Sequence, residues 1–486
     1  MLLIALLACP LLAAVLAAPR SLDRAAVERA GVALAGSAFL LSLVVATRVA
    51  GGGVVSVGPE EFLRADGLSA VLALIVTGTG LVALGFEAAA GTAAATPEAE
   101  GAHFRRYHAL AELFLFTMLL AVTVNNVGVM WVAVEATTII TAFLVGLRRS
   151  RAALEASWKY ILIGSVGIAL AFLGTVLAYF NFVQRVGVTP FALHWTVLSR
   201  VAGALDPDVT RLAFVFLLVG YGTKAGLAPM HTWLPDAHSE APAPISAMMS
   251  GCLLPVALYA ILRFKVVVDA CVGAAFTDRM LILIAVLSVL VAALLLVRQA
   301  SYKRMLAYSS VEHMGLMCLG SGLGPLGVTA SLLHAVTHAA GKSMAFLLSG
   351  AVRERYGTSR IGSVRGLLRA MPWTGALFAA SVLALLGLPP SGVFVSEILL
   401  VRAGFRAGRP WVTAAVLVLL VGIFIAVLGH LNRMLYGDPP EHLRARDHPQ
   451  RLLPLALNVA VLIVLGFGIP GPLMRLLGTA AGIVAP

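Results

Sequence analysis

The chain has 486 residues, of which 60% are hydrophobic and 12% charged, with a mean hydropathy of +0.95. A soluble domain of this length cannot hide so much apolar surface, so composition excludes a water-soluble enzyme or binding module and leaves an all-α polytopic membrane protein. The formal net charge of +12 does not imply nucleic acid, because the Lys and Arg residues cluster in short loops between apolar runs, where they act as topology determinants.

The first segment, MLLIALLACPLLAAVLAAPR, has the length of a secretory signal but no basic start, its first cation being Arg20. It is therefore read as a transmembrane helix. With it, fourteen apolar segments occur in order, at roughly 2–18, 29–49, 67–88, 107–124, 127–146, 158–180, 210–228, 244–264, 280–298, 304–321, 325–350, 372–400, 411–435 and 453–475. They divide into helices 1–3 within 1–104, helices 4–8 within 105–265, helices 9–13 within 277–436, and a C-terminal helix 14 within 452–478. Loops after odd-numbered spans hold the larger share of Lys and Arg, most densely in RERYGTSRIGSVRGLLR after the eleventh. The positive-inside rule then makes those loops cytoplasmic and puts both termini on the non-cytoplasmic side of a cell membrane.

Two spans are interrupted. The seventh carries a single lysine, Lys224, and is then broken by Pro229, Pro235, Pro242 and Pro244, a stretch that also holds His231, Asp236, His238 and Glu240. The twelfth is broken at LGLPPSG, around Pro389 and Pro390, with Glu397 soon after. A charge in hydrocarbon costs roughly 2.5–3.5 kcal/mol even on the lenient insertion scale. Irregular backbone at that depth survives only inside protein or beside a wet cavity. The two breaks lie five spans apart, an odd offset, so spans 4–8 and 9–13 are expected to form two inverted five-helix repeats with an ion path between them.

Glu135, in MWVAVEATTIITAFLVG, is the natural acid partner for Lys224. In the eleventh span His334, His338 and Lys342 recur at i, i+4 and i+8, which puts them on one helical face at intervals of about 6 Å. Histidine can pass protons near neutral pH. A metal is the weaker reading there, since no cysteine or carboxylate in the span completes a ligand set. Glu112, Glu312, His313 and His430 are secondary candidates, each also explicable as a structural partner. Such a sparse series of acids and bases suits proton transfer along the membrane plane. The four cysteines, Cys9, Cys252, Cys271 and Cys318, lie far apart and are read as packing residues. Without cysteine ligand sets or a GxGxxG turn, no metal, iron–sulfur cluster or other cofactor is expected, and no redox centre of the chain's own.

GYGTKAGLAPMHTWLPDAHSEAPAPISAMMSG resembles the signature of the antiporter-like subunits of respiratory complex I and its relatives. SYKRMLAYSSVEHMG, HAVTHAAGKSMAFLLSG and MWVAVEATT are similar to the same family, and together cover roughly residues 105 to 400. Within it the EHMG form and the HAVTHAAGK stretch most resemble the membrane arms of group 4 nickel–iron hydrogenases and formate hydrogenlyases, the hydrogenase-4 branch. The resemblance implies fourteen helices with inverted repeats, and proton translocation coupled to redox chemistry in partner subunits. Those partners would be other membrane-arm subunits and a peripheral redox arm. Glu135 and Lys224 match the family's glutamate–lysine pair. His334, His338 and Lys342 match its central axis, and Glu397 its terminal charged residue.

One departure matters. Many relatives carry a lysine or histidine midway along the eighth span, where MMSGCLLPVALYAILRF offers only Cys252 and Pro255. Water between Lys224 and the eleventh span is one way across that gap, and interrupted coupling is the other. The absence of a long lateral helix after the last span sets the chain apart from the most distal complex I type. Two other readings share the fold: a subunit of a multisubunit cation/proton antiporter or inorganic-carbon uptake system, and a non-conducting membrane scaffold. Sodium is the alternative to the proton as the transported ion.

Overall fold

In hydrocarbon every backbone N–H and C=O must be satisfied within the protein, so apolar runs with few breakers fold as helices. The computed structural model, which describes residues 1–19, 22–90, 99–148, 150–441, 443 and 447–485, follows that rule closely. The chain opens with α1 (Leu2–Ala17), α2 (Arg24–Val49) and α3 (Gly67–Ala90). Between the last two, an antiparallel hairpin pairs β1 (Val55–Val57) with β2 (Leu63–Ala65), Val55 opposite Ala65. Next come α4 (Ala99–Thr123), α5 (Val127–Val145), the long α6 (Arg151–Val186), the short α7 (Trp195–Arg200) and α8 (Pro207–Lys224). The broken region holds α9 (Trp233–Glu240) and α10 (Ala243–Met248), then a π turn at Met249–Leu253 that runs into α11 (Leu254–Val272).

The second half contains α12 (Ala274–Leu296), α13 (Tyr302–Ser321), α14 (Gly324–Tyr356), α15 (Leu367–Ala370) and α16 (Pro372–Leu385). It ends with α17 (Gly392–Arg406), α18 (Pro410–Leu435), α19 (Ala456–Phe467) and α20 (Gly471–Val484). Among the described residues nine helical stretches are long and apolar enough to cross a bilayer, and α1, α16 and α20 are shorter apolar helices. α13 and α14 are almost wholly buried, which lets them carry the titratable residues that a lipid-facing helix could not. The outer faces of α6, α12 and α18 expose Leu162, Val166, Leu283, Leu294, Val418 and Ile425.

One expected boundary is corrected. The stretch 452–478, read as a single C-terminal helix, is a 3-10 segment leading into α19, then a separate α20. Gly468 is fully extended there (φ 174°, ψ 151°) and Pro470 has no N–H to continue the helix. Separation frees α20 from the line of α19, and Thr479 bonds the Ala50 carbonyl while Ala480 packs against Gly67.

Both breaks end their helices with the same turn. After α8, Leu227 N–H bonds Gly222 O (2.9 Å) and Gly226 N–H bonds Thr223 O (3.2 Å), with Gly226 at φ +72°. After α16, Leu388 N–H bonds Leu383 O (3.1 Å) and Gly387 N–H bonds Ala384 O (3.1 Å), with Gly387 at φ +68°. This is the Schellman pattern, which needs a residue without a Cβ at the left-handed position. A cis prolyl bond follows each, at Ala228–Pro229 and Pro389–Pro390. Other partners satisfy the backbone that the first break frees. Trp233 Nε1 donates to Thr223 O (2.8 Å), Ser288 Oγ accepts from Ala228 N–H (3.0 Å), and Lys303 Nζ donates to Ala241 O (3.0 Å).

Small residues let α6 and α8 approach closely. A Cβ built on Gly220 of α8 would lie 2.4 Å from Ala171 N of α6, and one on Gly167 of α6 would lie 2.5 Å from Thr223 Cβ of α8. Close backbone approach of this kind is how membrane helices pack without a hydrophobic driving force between them. It brings the end of α8 against the first half of α6, where Lys224 meets Tyr160.

Candidate functional site

Lys224, the last residue of α8, is 1% exposed. Its Nζ donates to the Tyr160 hydroxyl of α6 (2.6 Å) and to Thr138 Oγ1 of α5 (2.8 Å). Thr138 in turn donates to Glu135 Oε2 (3.0 Å), and Ser165 reaches Glu135 Oε1 at 3.5 Å. Glu135 and Lys224 are thus brought together, but through a hydroxyl rather than as the direct ion pair their types suggested. The hydroxyl accepts from the ammonium with its lone pair and donates its own proton to the carboxylate. Tyr160 also bonds Thr141 Oγ1 (2.7 Å) and packs on Trp233 of the break. Thr138 and Tyr160 were missed in the sequence. The spacing of Glu135 and Thr138, three apart on one helix face, was the available signal.

A crevice of about 550 Å3 between α4, α5 and α6 reaches Thr138 and Ser165 from His103 and Arg106.

A second cluster forms where α13, α14 and α17 meet. His334 and His338 stack with ring centroids 6.5 Å apart and an interplanar angle of 16°, as the four-residue spacing required. His313 of α13 packs against both, and its Nδ1 lies 3.0 Å from His334 Nε2. On its other side His334 Nδ1 bonds Ser396 Oγ of α17 (2.9 Å), and Ser396 donates to Val393 O (2.7 Å). With the hydroxyl proton committed to that carbonyl, Ser396 accepts and His334 Nδ1 carries a proton. Half-buried Glu397 follows Ser396 on the same helix, its carboxylate against Gly387 of the second break. Lys342, fully buried, donates to Leu306 O of α13 (2.7 Å), and Glu312 is buried on the same helix as that carbonyl. Thus Glu312, His313, His334, His338, Lys342 and Glu397 are all brought to one region, a tighter grouping than the sparse series expected.

The gap in the eighth span has a local answer. Ser250, in the π turn, lies 2.8 Å from Ser310 Oγ of α13. Ser310 donates to Leu306 O (3.1 Å), the same carbonyl that Lys342 uses. His238 of the break is fully buried and stacked on Phe346, one turn beyond Lys342 on α14 (4.8 Å between centroids, 18°). Among the described residues neither of its ring nitrogens has a partner. A π turn widens a helix locally and is frequent at functional sites, but neither it nor the two serines stand out in the sequence.

The other candidates separate from these clusters. Asp236 sits at the rim of the break, bonded to Arg304 (2.5 Å) and Lys159 (3.3 Å), where it fastens α9 to α13 and α6. His231 packs at the edge of Tyr308. Pro229 and Pro390 follow the two cis bonds, Pro389 precedes the second, and Pro235 lies in the first turn of α9. His430 of α18 lies 3.1 Å from Leu296 O of α12, the contact of a structural partner. Glu112 is buried on α4 beside Gly31 of α2, away from both clusters. A crevice of about 520 Å3 reaches Lys303 and Pro242 from a rim that includes Glu354 and Arg451.

The transmembrane region of the NADH:quinone oxidoreductase/Mrp antiporter family matches residues 124–423, which span both breaks and both clusters. The chain belongs to this family. It is 42% identical, over 75% of its length and 76% of the relative's, to a hydrogenase-4 component F homolog of Methylacidiphilum infernorum. It is 33% identical to NADH-quinone oxidoreductase subunit N of Desulforudis audaxviator, covering 83% of this chain and 80% of that one. Among solved structures it is similar to a chain of the membrane-bound sulfane sulfur reductase, an archaeal respiratory membrane complex. There the TM-score is 0.87 at 26% identity, with 99% of this chain and 98% of that chain covered. It is a multi-pass, antiporter-like membrane subunit of the hydrogenase and complex I kind, a class whose members sit among other membrane-arm subunits.

Proposed function

We propose that the chain translocates protons as a membrane subunit of a hydrogenase-4-like or complex I-like oxidoreductase, driven by redox chemistry in a peripheral arm of partner subunits. The observation that carries this reading is the hydrogen-bonded series Lys224–Thr138–Glu135, a buried base joined to a half-buried acid by a hydroxyl. A proton on Lys224 and a charge on Glu135 stabilise each other through Thr138, so a change at one end alters proton affinity at the other. The second station is the cluster of Glu312, His313, His334, His338 and Lys342, with Glu397 as its outer terminal. Ser250, Ser310 and His238 bridge the two stations, filling the place that span eight leaves without a titratable group. The crevice at Thr138 and the one at Lys303 and Pro242 admit water to the first station and to the first break from the cytoplasmic side, and both chain termini lie on the opposite side.

The common turn at the two breaks supports reading residues 105–265 and 277–436 as inverted repeats, with the N-terminal helices within 1–104 flanking them. A redox-coupled role is favoured over a multisubunit cation/proton antiporter by the 42% identity to the hydrogenase-4 component F homolog. Proton movement in sealed vesicles, driven by the oxidoreductase reaction of the intact complex, tests the proposal. Serine at Thr138 keeps the bridging hydroxyl and retains pumping, whereas Thr138→Val stops it while electron transfer continues. Pumping at the unaltered rate in Thr138→Val would remove the relay from the account.

A further inference from the structure

The spacing within the eleventh span argued against a metal because no carboxylate completed a ligand set, and folding changes that premise. One ligand atom each from His313, His334 and Glu397 lie within 4.8 Å of one another, although they come from α13, α14 and α17. His338 is fully buried, its ring centroid 5.1 Å from that of His313, and among the described residues neither of its nitrogens is bonded. We propose that His313, His334, His338 and Glu397 form a site for a Zn2+-class transition-metal ion. The binding goes beyond proton translocation and does not depend on it.

Three imidazoles and one carboxylate are a donor set suited to zinc, held at about 2.0–2.2 Å from each atom in a tetrahedron. Ligand atoms on such a tetrahedron are about 3.3 Å apart. His313 Nδ1 and His334 Nε2, 3.0 Å apart in a hydrogen bond that the ion replaces as the His313 proton moves to its unbonded Nε2, are already near that spacing. Rotation of the half-buried Glu397 side chain closes its remaining distance, and His338, which lies outside the 4.8 Å group, is brought to the ion by rotation of its unbonded ring. The Ser396 contact adds the feature most diagnostic of a ligand. A metal-bound histidine donates its other N–H to an oxygen, which fixes the ring and its tautomer. His334 does so through Nδ1 to Ser396, leaving its Nε2 lone pair pointed at the other members.

Hard cations are disfavoured, since Mg2+ and Ca2+ require mostly oxygen ligands. Sodium is disfavoured for the same reason.

The test uses the full-length chain in lipid nanodiscs, with Co2+ as a spectroscopic probe and Zn2+ as competitor. The expected result is one equivalent of Co2+ with the intense visible bands of a tetrahedral nitrogen–oxygen site, displaced by Zn2+. X-ray absorption on the zinc form should give four nitrogen or oxygen neighbours at about 2.0 Å. His334→Gln should abolish the bands. Ser396→Ala, which leaves every ligand in place, should weaken binding by about 10–100-fold. His231→Gln, outside the cluster, should change nothing. Circular dichroism and size-exclusion profiles establish that each variant is folded. Absence of tetrahedral bands in the folded unaltered chain overturns the proposal, as do bands that persist unchanged in His334→Gln or that are lost equally in His231→Gln.

Discussion

At the scale of single residues, buried charge is distributed in two ways with different consequences. Lys224 is held by neutral hydroxyls, with the Glu135 carboxylate one hydroxyl away, whereas Asp66 and Arg263 are locked together directly. Arg263 makes two bonds of 2.7 Å to the Asp66 carboxylate and a third to Ser69 (2.9 Å), with Trp195 and Tyr259 on its guanidinium faces. Asp66 follows the hairpin, so this pair fixes β2 and the start of α3 to α11. Burial pushes the Asp66 carboxyl up, but the Arg263 guanidinium outweighs it and holds the carboxyl below its ordinary value. A depressed folded value means the stabilisation is fully present above the unfolded value of about 3.9 and is lost as pH falls through the folded one. Asp66→Asn should therefore destabilise the protein by about 3–5 kcal/mol at neutral pH, measured by thermal or denaturant unfolding in detergent. Stability equal to that of the unaltered chain would show that the pair does not anchor the hairpin. Residue types were legible in the sequence: Glu135, Lys224, His334, His338 and Lys342 were all found from their placement in apolar runs. Their hydroxyl partners were not, because Thr138, Tyr160, Ser250, Ser310 and Ser396 are common in such runs and gain meaning only from which helix they face.

Elements place these residues within hydrogen-bond reach, and glycine positions decide how closely elements approach. Gly220→Val would set side-chain atoms against Ala171 N and Gly167 O, both under 3 Å from the new Cβ. Overpacking of this kind costs about 1–3 kcal/mol. It should also lengthen the Lys224–Tyr160 contact, read as lower thermal stability together with slower proton movement in vesicles. Unchanged stability and transport would mean that α6 and α8 can separate freely. At the second break, Gly387→Ala would bring a Cβ within 2.1 Å of Glu397 Oε2 at a position already at φ +68°. Displacement of Glu397 should lower proton movement in sealed vesicles, whereas Gly362→Ala, with open space around it, should leave it unchanged. Equal transport by both variants would contradict the placement. Prolines and glycines made both breaks visible in the sequence. The division of 452–478 was less visible, because Gly468 and Pro470 sit in a run whose apolar character is unbroken. The π turn was hidden altogether, since MSGCL reads as ordinary helix.

For the whole molecule, the buried helices α13 and α14 carry the titratable groups and the apolar helices form the rim that meets lipid. Composition and periodicity made that arrangement legible, because charged residues survive in hydrocarbon only when neighbours shield them. Long-range juxtaposition was not legible: Glu397 lies 63 residues from His334 in sequence, and only folding brings it beside the histidines. A protein that merely anchored a catalytic arm would tolerate the loss of Lys224 or Glu135 once it had assembled. One that carries protons through them would not. The most direct measurement is redox-driven acidification of sealed vesicles containing the complex with Lys224→Ala or Glu135→Gln, alongside subunit composition and electron-transfer rate. Proton translocation should be lost in both variants with composition normal, and retention of normal translocation in either would contradict the account.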